Sequence, residues 1–479
     1  MLHILGKRTK LCDGMTRREL MRVGGLSLFG GMTLSRMLAA ANARNTHRSK
    51  APARSVILFN LLGGPSHIDM FDMKPSAPVE IRGEFKPISS SLPGLAVCEH
   101  LPQTARQMHK ATLIRTVTHN YNTHNPLAMM TGYAVGPNEQ LSAEPTDPPD
   151  IGAICQYLKM GPRHMPGAVC MPCYPGYGQN GDYPGISRPG PYGGFLGKRY
   201  DPLFSECNPR FDRQPKMSHY DPVRPMGVPQ LPSLDVLPGM SVDRIDRRRS
   251  LLSQFNDQFD RAATASAIDR MDEVQQQAIS MLTSNGVRDA FDLDQEPDKL
   301  RDRYGRHLMG SSMLVARRLV EAGVPFISVH AEIFGHMGHS YDTHENNFGM
   351  LKSESLPVLD MVYPTLVEDL EQRGLLDSTL VVVMGEMGRS PLVNKKAGRD
   401  HWPRCGFSLL TGGGVKRGMV YGSTDKQAAY PVANPVSPAD VVATIYHLLG
   451  IDPHMTVTDP LDRTIPIAHG GDPIAELLA

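Results

Sequence analysis

The chain has 479 residues, of which 41% are hydrophobic and 21% charged, enough for one large domain or two smaller ones. A formal net charge of +1 gives no indication that nucleic acid or an acidic polymer is a partner. One tryptophan and an aromatic content of 6% argue against a sugar platform of stacked rings. The substrate class must therefore be inferred from a candidate site.

The first 43 residues predict a twin-arginine signal peptide. Arg17 and Arg18 precede a weakly apolar stretch that is too short to span a membrane, and small residues follow at 41–43. This order of basic, apolar and small residues is typical of a cleaved export signal. We therefore expect the twin-arginine export machinery to deliver residues 44–479 to the periplasm or cell surface.

Six cysteines lie outside the predicted signal, and they are compatible with disulfides in an oxidising compartment. The sequence does not choose among their pairings. Cys170 and Cys173 have a spacing seen in zinc and redox sites, but no second pair accompanies them. A structural disulfide or two buried thiols is the preferred interpretation.

Residues 54–62 predict the first strand, buried on both faces. Two glycines and a proline end it, and the polar residues His67 and Asp69 follow. Ligands bind at the carboxyl ends of strands in open α/β sheets, so His67 and Asp69 are candidate metal ligands. The alternative is a turn followed by an ordinary helix start.

A second strand is predicted at 111–117, followed by a polar loop and a short helix at 127–131. Polar groups before a helix N-terminus favour an anion, and His124 in this loop is a candidate for holding one. His119 and His124 could also bind a metal, or simply form hydrogen bonds.

Residues 137–240 are rich in proline, glycine and tyrosine, and they predict an irregular insertion that covers the sheet edge. The rest of the chain alternates between helix and strand, which predicts a mainly parallel α/β sheet. The expected helices are 151–158, 241–270, 272–283, 304–322, 356–373 and 441–449, and the expected strands are 325–330, 380–384 and 407–410.

The strongest candidate site lies between residues 341 and 402. Asp342 and His344 are two residues apart, so in an extended chain they point the same way. Glu386 follows the buried strand 380–384, and His401 lies in a second polar cluster with Asp400. Carboxylates and imidazoles are the ligands of hard or borderline divalent cations, so these clusters predict a metal site.

Several motifs resemble the domain of unknown function 1501 family, a branch of the alkaline phosphatase and sulfatase superfamily. The matching segments cover nearly all of the chain after the signal, and they are residues 63–75, 341–344, 374–389, 398–403, 421–425 and 438–451. The resemblance implies an alkaline-phosphatase-like three-layer α/β sandwich with a mainly parallel central sheet.

The resemblance also implies metal binding at the carboxyl edge of that sheet. Asp342 and His344 correspond to one ligand pair of the superfamily, Glu386 to the acid after the strand, and His401 to a distant ligand. Asp400 is expected to orient His401 from the second coordination shell. Arg389 is expected to hold an anionic oxygen of the substrate.

Two positions depart from the superfamily pattern. The usual Asp-His after the strand is Glu386-Met387, which removes one imidazole. The usual nucleophile position, counted back from Thr131-Gly132, holds Asn122, which cannot attack as a nucleophile. Without a side-chain nucleophile, a water activated by a metal could attack directly.

These features predict an exported hydrolase of a phosphate or sulfate ester that uses one or two ions of zinc, calcium or magnesium. Its substrate would be a small anionic ester or a sulfated or phosphorylated glycan, and no nucleic acid is expected. The alternative is a non-catalytic member of the superfamily that serves as a binding or assembly protein at the cell surface. The sequence does not indicate an oligomeric state.

Overall fold

The computed structural model describes part of the chain in detail. The described residues are 51–134, 142–162, 165–172, 188–207, 210–213, 221–231, 285–331, 333–334, 337–338 and 341–479. The predicted signal peptide, the helices predicted at 241–270 and 272–283, and Cys173 lie outside them. Among the described cysteines, Cys98 and Cys405 are buried free thiols.

An eight-stranded sheet forms the centre of the described structure. Its strands are β1 (Ser55–Leu61), β2 (Ala111–Val117), β3 (Ala168–Met171), β4 (Leu203–Phe204), β5 (Phe326–Ala331), β6 (Thr379–Met384), β7 (Gly406–Thr411) and β8 (Met419–Tyr421). Their order across the sheet is β8-β2-β7-β6-β1-β5-β3-β4. Only β7 runs antiparallel to its neighbours within this sheet.

Helices cover both faces of the sheet. The α-helices are α1 (His67–Met70), α2 (Val79–Arg82), α3 (Pro102–Gln107), α4 (Leu127–Thr131), α5 (Ile151–Tyr157), α6 (Asn285–Phe291), α7 (Asp298–Tyr304), α8 (Leu308–Glu321), α9 (Asn347–Met350), α10 (Leu356–Gln372) and α11 (Pro438–Leu448). A π-helical turn, Leu351–Ser355, joins α9 to α10. Among the described helices, none combines the length and the apolar character needed to cross a membrane.

Shorter elements fill the connections. The 3₁₀ turns are Met108–Lys110, Gly194–Leu196, Lys198–Tyr200, Leu293–Gln295, Leu376–Ser378 and Ala475–Leu477. The paired short strands are Pro87–Ser89 with Ala96–Cys98, Arg210–Phe211 with Pro225–Met226, Ile333–Phe334 with Met337–Gly338, Gly388–Arg389 with His401–Trp402, Ser423–Thr424 with Pro431–Ala433, and Thr456–Thr458 with Thr464–Pro466.

The sheet is buried on both faces because its strands are apolar at consecutive positions. In β1, Ile57 and Phe59 join the core beneath α8 and α10, while Val56 and Leu58 join the core beneath α11. Adjacent residues of a strand point to opposite faces, so a continuous apolar run supplies both cores. The predicted three-layer α/β sandwich with a mainly parallel sheet is confirmed.

The predicted strands β1, β2, β5, β6 and β7 are confirmed with small shifts of their ends. The helix predicted over 304–322 is wrong in its start, since α7 ends at Tyr304 and α8 begins at Leu308. Gly305, with a φ of 89°, breaks the chain between them. The region expected to be irregular also supplies two strands, β3 and β4, to the sheet edge.

The parallel strands bring several loops to one edge of the sheet. β1 leads into Gly63, β6 leads into Glu386, and β2 leads into the loop that carries His124. The carboxyl ends of parallel neighbours face the same way, so these distant parts of the chain meet there.

His307 provides a test of the packing around α8. Its Nδ1 accepts a hydrogen bond from the Gly310 N–H at 3.1 Å and so caps the helix. Burial lowers the pKa of His307 to about 4, so this side chain becomes protonated at a lower pH in the folded protein than in the unfolded chain. Stability from this group is therefore complete above pH 6.5 and is lost as pH falls towards 4.

We expect His307→Asn to keep the cap, because asparagine is a good N-cap residue, and to remove the titration. Between pH 7.5 and 5, the free energy of unfolding should fall by about 2 kcal/mol less in the variant than in the wild type, as measured by urea unfolding. His447→Asn, at an exposed position of α11, is the control. Parallel pH profiles for wild type and His307→Asn would contradict this account.

Candidate metal centre

Four side chains from separate parts of the chain converge at the carboxyl edge of the sheet. They are His124 from the loop after β2, Asp342 and His344 from the loop before α9, and His401 from the short strand paired with Gly388–Arg389. One ligand atom from each lies within 4.8 Å of the others. These four residues, called here the cluster, could hold a metal ion.

The cluster is organised around one oxygen of Asp342. The Nε2 atoms of His124, His344 and His401 lie 3.1, 3.2 and 3.7 Å from Asp342 Oδ1. Nitrogen and oxygen ligands about 2.0–2.2 Å from a tetrahedral zinc ion are separated from one another by about 3.3–3.5 Å. The three nitrogen–oxygen distances are therefore close to those in the ligand shell of a single cation.

Two of the imidazoles present unpartnered nitrogens to this centre. The Nε2 atoms of His124 and His401 are buried and have no partner with hydrogen-bond geometry. Their nearest charged neighbour is Asp342 Oδ1, which makes no well-aligned hydrogen bond to either nitrogen. A buried polar atom without a good hydrogen bond is costly, and a cation would satisfy both nitrogens at once. The residues present therefore fit a metal ion.

The loops approach closely because glycine stands at the contact points. A Cβ atom on Gly398 would lie 1.8 Å from the main-chain oxygen of His344, so only glycine allows the loop before His401 to pass the loop after Asp342. Gly63 and Gly64 have φ values of 104° and 76°, which favour glycine.

Arg389 holds the carboxylate of Asp342 in position. Its guanidinium donates to Gly64 O and Arg399 O, both at 3.0 Å, and to Gly63 O, and its Nη2 lies 2.5 Å from Asp342 Oδ1. The side chain is fully buried. The structure therefore places Arg389, predicted to hold a substrate anion, between three main-chain carbonyls and one carboxylate of the cluster.

Glu386 contacts His124 through the ring nitrogen that faces away from Asp342. Its Oε1 accepts hydrogen bonds from His124 Nδ1 at 2.7 Å and from the Gly63 N–H at 2.8 Å. The main-chain oxygen of Glu386 accepts from His119 Nε2 at 2.9 Å. Of the two loop histidines considered as ligands, His124 thus joins the cluster and His119 supports the end of β6.

Asp400 contacts a different histidine from the one expected. Its Oδ1 lies 2.9 Å from His344 Nδ1 and also accepts from Asn394 Nδ2 at 3.2 Å. It was predicted to orient His401, whereas the structure pairs it with His344. The carboxylate is more than half exposed, with a side-chain exposure of 60%.

His67 and Asp69 lie outside the cluster, in a buried polar network. Asp69 forms a bidentate ion pair with Arg399 at 2.7 and 2.8 Å and accepts from Asn347 Nδ2 at 2.9 Å. His67 Nε2 donates to Ala428 O at 2.7 Å. Asp69 therefore links the segment before His401 to the start of α9, whereas His67 contacts the loop at Ala428. The role of Arg399 could not be predicted from its position in the sequence.

The charges of the cluster are strongly coupled. Burial alone would raise the pKa of Asp342, but His124 and Arg389 hold that pKa well below its usual range. Burial would lower the pKa of His124, but Asp342 and Glu386 together raise it. At His401 burial dominates and lowers the pKa. Positive charge is therefore favoured between the two carboxylates that flank His124.

The fold and this centre together define an α/β protein with a candidate metal site at the carboxyl edge of its sheet. Residues 53–478 match the family model described as "Protein of unknown function (DUF1501)", and the chain belongs to this family. No curated protein matches the chain in the comparison.

Several solved structures are similar to the chain at low identity. A sulfatase from Pseudoalteromonas sp. is 14% identical, over 94% of this chain and 76% of that one, with a TM-score of 0.35. A phosphonate monoester hydrolase from Silicibacter pomeroyi is 11% identical, over 88% and 76%, with a TM-score of 0.33. The lipoteichoic acid synthase of Listeria monocytogenes is 10% identical, over 88% and 76%, with a TM-score of 0.34.

Arg389→Lys tests whether the guanidinium supports the cluster. Lysine keeps the charge but lacks the planar fork that reaches Asp342 and the three carbonyls together. We expect the free energy of unfolding to fall by about 3–5 kcal/mol in urea unfolding, because a buried carboxylate and several carbonyls lose their partner.

Arg417→Lys is the matched control, since the Arg417–Asp377 ion pair is exposed. Its free energy of unfolding should change by less than about 1 kcal/mol. Losses of the same size in both variants would show that Arg389 has no special structural role.

Proposed function

We propose that this chain is an exported, metal-dependent hydrolase of a phosphate or sulfate ester. The observation that carries the proposal is the convergence of three imidazole nitrogens on one oxygen of Asp342 at the carboxyl edge of the sheet. In open α/β sheets this edge is where ligands bind. The export part rests on the paired arginines of the N-terminal sequence.

The donor set indicates which metal the centre would take. His124, His344, His401 and Asp342 supply three imidazoles and one carboxylate. Imidazole suits zinc and other transition metals, whereas calcium and magnesium prefer shells built from oxygen. We therefore favour zinc, or a similar transition metal, over calcium and magnesium.

The same observations favour one ion over two. In the superfamily that the motifs resemble, an Asp-His pair after the strand contributes to metal binding, and here that place holds Glu386-Met387. Glu386 Oε1 already accepts from His124 and Gly63. One of the usual imidazoles is thus replaced by the buried side chain of Met387.

The chain's own residues would perform two tasks. His124, Asp342, His344 and His401 hold the cation, and Arg389 fixes the carboxylate of Asp342. A divalent cation held there would supply Lewis-acid chemistry, which polarises an ester oxygen and activates water. Asn122 at the usual nucleophile position favours this direct attack over a covalent intermediate.

The centre is open to solvent on one side, so a substrate could reach it. The side chains of His344 and His401 are 32% and 21% exposed, whereas Arg389 beneath them is fully buried. One side of the cluster therefore faces solvent, where an ester oxygen could approach. A small anionic ester or a sulfated or phosphorylated glycan is the substrate class we propose.

A second candidate function is that of a non-catalytic metal-binding protein that serves in binding or assembly at the cell surface. Asn122 is the observation that favours it, because an amide cannot act as a nucleophile. The two candidates share the metal centre and differ in whether an ester is cleaved.

Metal removal and reloading distinguish them. After treatment with a chelator, the protein should regain hydrolysis of an aryl phosphate or aryl sulfate with zinc, and much less with calcium or magnesium. Asp342→Asn should stay at the level of the metal-free protein, because it weakens the ligand at the centre of the cluster. The measurement is the release of the coloured aryl alcohol, alongside metal content by plasma mass spectrometry.

The control is Asp377→Asn, which changes an exposed carboxylate paired with Arg417. Its metal content and its rate of ester hydrolysis should match those of the wild type. Tight zinc binding without hydrolysis of either ester would favour the non-catalytic alternative. A wild-type protein that binds no transition metal would overturn both candidates.

A further inference from the structure

Two histidines of the cluster have a carboxylate on the ring nitrogen that faces away from Asp342. His124 Nδ1 lies 2.7 Å from Glu386 Oε1, and His344 Nδ1 lies 2.9 Å from Asp400 Oδ1. An ionised carboxylate only accepts hydrogen bonds, so a ring that offers Nε2 to a cation carries its proton on Nδ1 and donates it to this carboxylate. The lone pair of each ring is then on Nε2, the atom that faces the centre.

Glu386 is held firmly for this task. It lies two residues after the end of β6, its side chain is fully buried, and its Oε1 also accepts the Gly63 N–H at 2.8 Å. Its main-chain oxygen is fixed by His119 Nε2. The acceptor atom therefore has a defined position before any cation arrives.

Geometry also separates Glu386 from the ligand atoms. The four residues whose ligand atoms lie within 4.8 Å of one another do not include Glu386. His124 stands between Glu386 Oε1 and Asp342 Oδ1, bonded through Nδ1 on one side and 3.1 Å away through Nε2 on the other.

We propose that Glu386 is a positioning residue that fixes the tautomer and ring orientation of His124, and is not itself a metal ligand. The proposal rests on the metal centre of the proposed function and deepens it. Carboxylates that hold the far nitrogen of a ligating histidine are a known determinant of metal affinity. Asp400 does the same for His344, with a smaller effect because it is exposed to solvent.

The test compares the zinc affinity of full-length variants by competition with a chromophoric chelator. Glu386→Gln keeps an acceptor oxygen for His124 and Gly63, so it should stay within about 10-fold of the wild type. Glu386→Ala removes the acceptor and should weaken zinc binding by roughly 10–100-fold. Asp400→Ala should lose less than Glu386→Ala, and His401→Ala is the reference for the loss of a ligand.

A second readout follows the tautomer directly. In metal-free protein with ¹⁵N-labelled histidine, at a pH high enough for the His124 ring to be neutral, the His124 signals, identified by their absence in His124→Gln, should show a proton on Nδ1 in the wild type and in Glu386→Gln. In Glu386→Ala the same ring should shift towards the Nε2-protonated form. Circular dichroism and thermal unfolding establish that each variant is folded.

The possible outcomes distinguish failure of the proposed function from failure of the role proposed for Glu386. A wild type that binds no zinc would overturn the proposed function and this inference together. A wild type that binds zinc while Glu386→Gln loses as much affinity as His401→Ala would make Glu386 a ligand and overturn this inference alone. Unchanged affinity and an unchanged His124 tautomer in Glu386→Ala would also overturn it.

Discussion

The candidate centre depends on the contact between the guanidinium of Arg389 and the carboxylate of Asp342. Arg389 is fully buried and is held by three main-chain carbonyls, so its position is set by the loops that follow β1 and β6. Asp342 is thereby fixed in a place where three imidazoles reach the same oxygen atom. Removing one partner of such a buried charge pair strongly destabilises a protein. The residues that form the site therefore also contribute to the stability of the fold.

The carboxylates around the centre divide into ligands and supports. Asp342 faces the Nε2 atoms, while Glu386 and Asp400 hold the Nδ1 atoms of two different rings. Asp69 is satisfied by Arg399 and lies in the network that joins the loops beneath. This division explains how a site with several acids can present mainly imidazole nitrogens to a cation, and why the donor set favours a transition metal.

Much of the fold could be predicted from sequence because the buried strands are continuous apolar runs with clear ends. The antiparallel direction of β7 could not be predicted, since an apolar run reads the same in either direction. Within the site, Asp342, His344 and His401 were identified from their motifs. The position of Asp69 could not be predicted from the local sequence pattern, because its partner Arg399 lies 330 residues away along the chain. The pairing of Asp400 with His344 likewise depends on how two distant loops meet.

The central claim is that one cation binds among three histidines and Asp342. X-ray absorption spectroscopy of the zinc-loaded protein measures this most directly, because imidazole rings give a distinctive multiple-scattering pattern. The account predicts a shell of nitrogen and oxygen atoms at about 2.0–2.1 Å with three imidazoles, and one imidazole fewer in His401→Ala. A spectrum without imidazole scattering, or one with thiolate sulfur at about 2.3 Å, would contradict it.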